Sequence, residues 1–238
     1  MASARRPLLA LLALAAGLAV VAVACSKGAG SCSDNPCILA SDGLVLRGRI
    51  QGNSAPGSPG VILAHDFATD QGSWKALATT LSSRGYLVLS FDFRGTASSP
   101  GRKDATLEES DLGSVLKYMR DVLERPNAFI IGAGSGGAAA IKVASRDKVK
   151  GVVTLSAPEN SLGVSVTESI AGVSAPKLFI ASEGEARAAD AQSLFNQSRE
   201  PHKLDLVPGT ASGTSLLSSP AGDKVRTDIL QFLDANKG

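Results

Sequence analysis

The chain has 238 residues, a formal net charge of +2, 44% hydrophobic residues, three cysteines and two histidines. The first 24 residues hold two arginines and no acid, so the remaining 214 residues carry 22 cationic and 22 acidic side chains. A neutral chain without a basic cluster has no electrostatic means of binding nucleic acid, because that affinity depends on neutralising phosphates. Composition therefore excludes the nucleic-acid-binding class, and the length suits one domain with a full core.

Residues 1–24 have the pattern of a secretory signal, with Arg5 and Arg6 preceding 18 uncharged, mostly apolar residues. The sequence Ala-Val-Ala-Cys that ends at Cys25 resembles the lipobox of bacterial lipoproteins, in which cleavage before the cysteine exposes it for acylation. A plain secretory signal and an uncleaved anchor are the alternatives, since the apolar run is close to the roughly 20 residues that span a bilayer. The resemblance predicts a protein exported to the bacterial cell envelope and bound to a membrane through lipid on Cys25.

Residues 25–37 are small, polar and turn-forming, which predicts a tether between the lipid and the folded domain. Cys32 and Cys37 lie in this segment. Because export implies an oxidising compartment, we expect them to form a disulfide, with two free thiols as the alternative. If the host has two membranes, Ser26 after the lipidated cysteine resembles the sorting signal for the outer membrane, with the domain at its periplasmic face.

Residues 38–238 predict a single α/β domain that begins with a hairpin, formed by residues 38–40 and 44–50 around a turn. Six further short apolar runs predict strands, at residues 60–65, 86–91, 128–131, 149–155, 177–181 and 204–207. Helical periodicity begins at Trp74 and at Leu112, and recurs over residues 224–233. Apolar strands that alternate with amphipathic helices predict a mostly parallel, twisted sheet with helices on both faces. Residues 156–175 are too few for a large lid.

Three motifs follow the predicted strands, namely Val-Ile-Leu-Ala-His-Asp-Phe at 61–67, Phe-Asp-Phe-Arg-Gly at 91–95 and Ile-Gly-Ala-Gly-Ser-Gly-Gly at 131–137. Their order resembles the α/β-hydrolase superfamily, nearest to its lidless, dienelactone-hydrolase-like members, over about residues 38–236. The resemblance implies an α/β-hydrolase fold with a nucleophile at a tight turn between a strand and a helix. It also implies a general-base histidine, a supporting acid and backbone amides that stabilise an oxyanion.

The nucleophile position departs from the family. Members read Gly-Ala-Ser-x-Gly-Gly at this turn, whereas this chain reads Gly-Ala-Gly-Ser-Gly-Gly from Gly132 to Gly137. Gly134 therefore stands where the nucleophile is expected. Ser135 fits only if the motif is shifted by one residue, which redirects a side chain on so tight a turn.

The histidine position also departs. Pro-Gly-Thr-Ala-Ser-Gly at 208–213 aligns Ser212 with the family's general base, and a serine cannot accept a proton near neutral pH. Of the two histidines, His65 matches a family residue that braces the oxyanion loop. His202 is expected to be exposed on an edge strand. Glu185 occupies the acid position, where it has no histidine to orient.

A third departure is Asp66, which replaces the glycine that usually follows His65 and brings a carboxylate close to the oxyanion amide of Phe67. Negative charge there opposes the stabilisation of an oxyanion. The three departures together predict a non-catalytic protein with a binding or scaffold role, whose ligand, a small molecule or a protein, the sequence does not identify. The alternative is an active ester or lactone hydrolase that uses Ser135.

A second alternative is dinucleotide binding, because Gly132, Gly134 and Gly137 also satisfy the Gly-x-Gly-x-x-Gly pattern after a strand, with Glu159 about 20 residues further on. That fingerprint usually opens its domain, whereas here several strand and helix units precede it. We therefore expect no cofactor. Two widely separated histidines predict no metal site either.

Overall fold

The computed structural model describes residues 36–238. The expected signal peptide, Cys25, Cys32 and most of the tether lie outside the described residues. Cys37 is disulfide-bonded, and its partner is not among the residues described. Within residues 36–238, no helix combines the length and the apolar character that crossing a membrane requires.

The strands in chain order are β1 (Cys37–Leu39), β2 (Val45–Gly52), β3 (Gly60–Ala64), β4 (Leu87–Phe91), β5 (Phe129–Ala133), β6 (Gly151–Leu155), β7 (Asn160–Ser161), β8 (Val164–Ser165), β9 (Lys177–Ser182) and β10 (His202–Val207). The α-helices are α1 (Lys75–Ser83), α2 (Glu108–Asp121), α3 (Ser135–Ala144), α4 (Thr167–Ile170), α5 (Ala188–Gln197) and α6 (Gly222–Asn236).

Eight of these strands form one sheet in the order β1-β2-β4-β3-β5-β6-β9-β10. The first two pairings, β1 with β2 and β2 with β4, are antiparallel, and every later pairing is parallel. The parallel strands therefore end at a common edge, where loops carry functional side chains in folds of this kind. The α/β-hydrolase fold predicted from the sequence, with its mostly parallel sheet, is confirmed.

The central strands are buried on both faces because helices cover each side of the sheet. Alternate residues separate into two cores, with Ile62 and Ile130 on one face and Leu63 and Ile131 on the other. Helices α2 to α5 pack on the first face, and α1 and α6 pack on the second. This double coverage explains why the strands read as continuous apolar runs.

Two features were not predicted from the sequence, namely α5 and the small antiparallel hairpin of β7 and β8. Within α5 only Ala191 and Leu194 are buried, so its apolar stripe is too narrow to be recognised. The hairpin has two residues in each strand, which is below the length at which alternation carries information.

Candidate functional site

The tight turn between β5 and α3 is built around Gly134, whose φ of 50° and ψ of −123° are conformations that L-residues rarely adopt. The backbone is crowded on both sides of the turn. A Cβ on Gly132 would meet the carbonyl oxygen of Gly136 at 2.4 Å, and one on Gly136 would meet that of His65 at 2.4 Å. Gly134 therefore occupies the apex, the position that holds the nucleophile in the α/β-hydrolase arrangement.

The carboxylate of Asp66 occupies the space beside this apex. A Cβ placed on Gly134 would lie 2.2 Å from Cγ of Asp66, so the two side chains cannot coexist without movement. The backbone N–H of Ser135 points at Oδ1 of Asp66 over 3.4 Å. Nη1 of Arg187 lies 3.9 Å from Oδ2 and supplies a nearby positive charge.

Ser135, the first residue of α3, places its hydroxyl against the loop after β3. Its Oγ accepts a hydrogen bond from the backbone N–H of Phe67 at 2.8 Å. The side chain is almost buried, with a relative exposure of 8%. The two amides that form an oxyanion hole at such an elbow belong to the residue after the apex and to the β3 loop. Here the amide of Ser135 is directed at Asp66, and the amide of Phe67 at Oγ of Ser135.

The Asp66 carboxylate does not lie beside the Phe67 amide, where the sequence predicted it. It turns toward Gly134 and the amide of Ser135, and the Ser135 hydroxyl is the group that meets the Phe67 amide. The Phe67 segment is held from outside by Lys103, whose Nζ donates to the Phe67 carbonyl at 3.0 Å and lies 5.5 Å from the ring centroid. Both amides are therefore engaged within the protein itself.

Glu108, the first residue of α2, is a buried carboxyl group that the motif analysis did not identify. Only 3% exposed, it lines a narrow cleft together with Ser135. Burial raises the pKa of Glu108 to about 8, and the carboxylates of Asp66 and Asp111 act in the same direction against the hydrogen bond of Ser135 and the charge of Lys103. Glu108 is therefore mostly protonated at neutral pH.

A sequence signal for Glu108 does exist. The apolar stripe of α2 includes Leu112 and Val115, and Glu108 precedes them by four and seven residues. It therefore falls on the same buried face of the helix. A carboxyl group at a core-facing position is uncommon unless it is paired or functional, so the periodicity alone singles this residue out.

His65 is fully buried, and both ring nitrogens are engaged. Its Nδ1 donates to the Asp66 carbonyl at 2.7 Å, and its Nε2 accepts from the backbone N–H of Phe93 at 3.0 Å, which defines the neutral tautomer. Burial lowers the pKa of His65 and so favours that neutral form. The imidazole braces the loop before Phe67 and is not free to accept a proton from Ser135.

His202 begins β10, the edge strand, at the end of the sheet opposite Gly134. Nδ1 lies 2.5 Å from Oγ of Ser198, Nε2 lies 3.1 Å from Oε1 of Glu200, and the ring stacks on Phe195 with centroids 4.2 Å apart. Its half-buried position differs from the exposed one expected from the sequence, because α5 covers it. Both histidines of the chain are thus held away from Ser135.

Glu185, at the predicted acid position, is held by two hydrogen bonds. Its Oε1 accepts from Oγ of Ser156 at 2.7 Å and from the backbone N–H of Ser182 at 2.8 Å. Its Oε2 is buried and has no hydrogen-bond partner in the described part of the chain. Residues 208–213, the loop aligned with the family's histidine loop, come close to this carboxylate through Ser156. The backbone N–H of Gly213 donates to Oγ of Ser156 at 2.9 Å.

Ser212, the residue aligned with the histidine, is exposed. Its neighbour Gly213 instead approaches the site, because a Cβ there would lie 3.8 Å from Oδ2 of Asp66. Ser156 was not singled out from the sequence, and its φ of 54° places a non-glycine residue in the left-handed region. Ser156 therefore bridges Glu185 and the loop that contains Gly213.

Two observations argue against a nucleotide site at the residues of the dinucleotide pattern. The Asp66 carboxylate beside Gly134 places negative charge where a pyrophosphate would approach the helix N-terminus. Glu159 is engaged elsewhere, accepting a hydrogen bond from Nε2 of Gln197 at 2.7 Å. Within residues 36–238, no three His, Cys, Asp or Glu side chains converge as metal ligands.

Comparison with known proteins agrees with this geometry. The family model of the alpha/beta hydrolase fold matches residues 59–181. That match covers about half of the chain, and the protein therefore belongs to the α/β-hydrolase superfamily. No curated protein matches the chain by sequence.

Solved structures extend the likeness to most of the chain. An esterase of Pyrococcus furiosus matches with a TM-score of 0.76 and 17% identity, over 86% of this chain and 91% of that one. An enol-lactonase of Burkholderia xenovorans matches with 0.70 and 18%, over 84% and 100%. An esterase domain from a Rhodothermus marinus protein matches with 0.69 and 20%, over 86% and 98%. At these identities the likeness shows the fold alone.

Proposed function

We propose that this protein is a lipid-anchored member of the α/β-hydrolase superfamily that does not catalyse serine hydrolysis and instead has a binding or scaffold role in the bacterial cell envelope. The observation that carries the proposal is the Asp66 carboxylate, which fills the place of the nucleophilic side chain beside Gly134. A catalytic elbow needs a nucleophile at that place and a base within hydrogen-bond reach.

The surroundings of Ser135 support the same proposal. The amides expected to bind an oxyanion are directed at Asp66 and at Ser135 itself, so a developing negative charge has no donor prepared for it. The cleft that Ser135 lines is narrow, with enclosed room for about one water molecule.

The second candidate function is hydrolysis by Ser135, and Glu108 is the observation that favours it. A carboxyl group with a pKa of about 8 next to a serine hydroxyl is a suitable general base at neutral to alkaline pH. The esterase and lactonase structures that share the fold are consistent with this alternative.

One assay separates the two functions. The full chain is incubated with p-nitrophenyl acetate and with a small lactone, beside Ser135→Ala and Glu108→Gln. We expect all three proteins to give the same background rate. A rate that falls at least 10-fold in both variants, with an activity that rises as the pH passes about 8, would instead establish the Ser135 hydrolase.

A further inference from the structure

A second cavity, unrelated to the turn at Gly134, lies at the opposite edge of the sheet. It opens where β3 begins at Gly60 and has a volume of about 180 Å³. Strands β3 and β5 run from this edge to the site described above, and five residues at about 3.3 Å each separate the two by roughly 16 Å. Three cationic side chains line this cavity, those of Arg125, Lys150 and Lys237.

Arg125 brings a buried positive charge that pairs with no carboxylate within residues 36–238. It is 6% exposed, and its Nη1 and Nη2 donate to neutral acceptors only: the carbonyls of Leu123, Glu124, Ser54 and Ala55, and the Ser58 hydroxyl. Its Nε is buried and makes no hydrogen bond within residues 36–238. Buried cations are normally paired with an anion because desolvation is costly.

The two lysines add charge that is weakly compensated. Lys150 is half-buried and forms no ion pair with any residue in the described part of the chain. Nζ of Lys237 pairs with Asp234 at 2.7 Å, but both side chains are about half exposed, so this contact holds the lysine only weakly. The carboxylate that lines the cavity belongs to Glu124, which is exposed at the rim. The lining therefore has an excess of positive charge.

We propose that this cavity binds a phosphate-type oxyanion. Ammonium groups of Lys150 and Lys237 can donate charge-assisted hydrogen bonds to such a group, and the fixed charge of Arg125 adds to the attraction. Gly57, on the same wall, has a φ of 84° and open space beside it, so backbone as well as side chains can approach a ligand. The oxyanion can be a soluble phosphate ester or a phospholipid headgroup. The site is independent of the proposed function.

The test is a calorimetric titration of the full chain with inorganic phosphate at low ionic strength. We expect saturable binding that weakens at least 10-fold in Lys150→Gln. Lys148→Gln is the matched control, because Lys148 is exposed two residues away and does not line the cavity. Its affinity should equal that of the unmodified chain. Absence of phosphate binding, or equal weakening in both variants, would overturn the proposal.

Vesicles distinguish the two sources of the oxyanion. For this arm we use the chain from Ser26 onward, so that neither lipid on Cys25 nor the apolar run of residues 1–24 inserts into the vesicle. If phosphatidylglycerol vesicles displace bound phosphate and phosphatidylcholine vesicles do not, the ligand is a headgroup. If neither displaces it, the ligand is a soluble phosphate ester. Both results retain the oxyanion site, which the titration alone decides.

Discussion

Gly134 and Asp66 together close the place that a nucleophilic side chain takes in the α/β-hydrolase arrangement. A non-glycine residue at the apex has to tolerate a positive φ, and glycine adopts it without steric cost. The Asp66 carboxylate then uses the vacated volume and faces the amide of Ser135. The turn therefore carries a glycine at its apex and a carboxylate in the space beside it.

This coupling predicts a non-additive pair of substitutions. Gly134→Ser should destabilise the protein by roughly 1–3 kcal/mol, because the new Cβ meets Asp66 and the backbone is strained. In the Asp66→Gly background the same change should cost at least about 1 kcal/mol less, since the clash is removed. Urea unfolding of the four proteins measures the cycle, and additive effects would show that Asp66 does not occupy the nucleophile space.

Glu108 predicts an unusual dependence of stability on pH. Its folded pKa is raised from 4.5 to about 8, so the folded state binds the proton more tightly than the unfolded state does. The corresponding stability is complete below pH 4.5 and is lost as the pH rises through 8. Glu108→Gln, which stays neutral, should therefore gain roughly 2–3 kcal/mol of relative stability between pH 4 and pH 7.

Thermal or urea unfolding across this range measures the gain. Glu109→Gln is the control, because Glu109 is a partly exposed carboxylate on the same helix that pairs with Lys142 at 3.0 Å and with Arg146. It should show no gain with rising pH. Parallel pH profiles for Glu108→Gln and the unmodified chain would contradict the raised pKa.

At this scale local motifs single out Gly134 at the apex, Glu185 at the acid position and Ser212 at the histidine position, and their roles stay predictions. It could not give the direction of the Asp66 carboxylate, because that depends on where the turn after β3 meets the start of α3. Glu108 lies 27 residues before Ser135, and their contact is created only when α2 packs beside α3. A contact that forms only through long-range packing cannot be predicted from a single sequence motif.

Among the elements, α2 has a further role as the anchor of the loop after β4. Arg94 follows β4 and is nearly buried. Its Nη2 donates to Oδ1 of Asp111 on α2 at 2.6 Å, and its Nη1 to Asp42 in the first hairpin at 2.8 Å. One guanidinium therefore ties together three separate segments.

Loss of the buried contact between Arg94 and Asp111 should lower the free energy of unfolding much more than loss of the exposed contact with Asp42. Asp111 is fully buried, so Asp111→Asn leaves the Arg94 charge without its main partner and should destabilise the protein by roughly 3 kcal/mol. Asp42 is about half exposed, and Asp42→Asn should cause a much smaller loss. Chemical denaturation compares them, and equal losses would mean that burial does not control the strength of this contact.

Element prediction succeeded where the physical signal was strong and local. Every strand of the main sheet was located because burial on both faces produces apolar runs, and α2 because its stripe repeats over three turns. Helix α5 was missed because tertiary contacts with β9 and β10, rather than its own sequence, define it. The same applies to the β7 and β8 hairpin.

For the whole molecule, the sheet separates two regions with different charge. The edge at which the strands end carries the candidate functional site, with Asp66 and Glu108, and the edge at which they begin carries the cationic cavity around Arg125. Residues 25–238 are neutral overall, so these regions act locally and not through net charge. A tether on the N-terminal side is proposed to hold this domain at a membrane.

The lipid anchor predicts the location of the full chain. Expressed in a bacterial host, the protein should partition with the membrane fraction and incorporate labelled fatty acid. Cys25→Ala should abolish the label, because the acyl chains are expected on this cysteine. Label retained in the variant, or a soluble unmodified chain, would contradict lipidation at Cys25.

The central claim is that Ser135 is not an activated nucleophile, and covalent labelling tests it most directly. The full chain is treated with a fluorophosphonate and its intact mass is measured beside that of Ser135→Ala. We predict no mass increase in either protein, because the Ser135 hydroxyl is held by the Phe67 amide and no imidazole is within reach. A single phosphonyl adduct on the unmodified chain that is absent from Ser135→Ala would contradict the claim and establish a working hydrolase site.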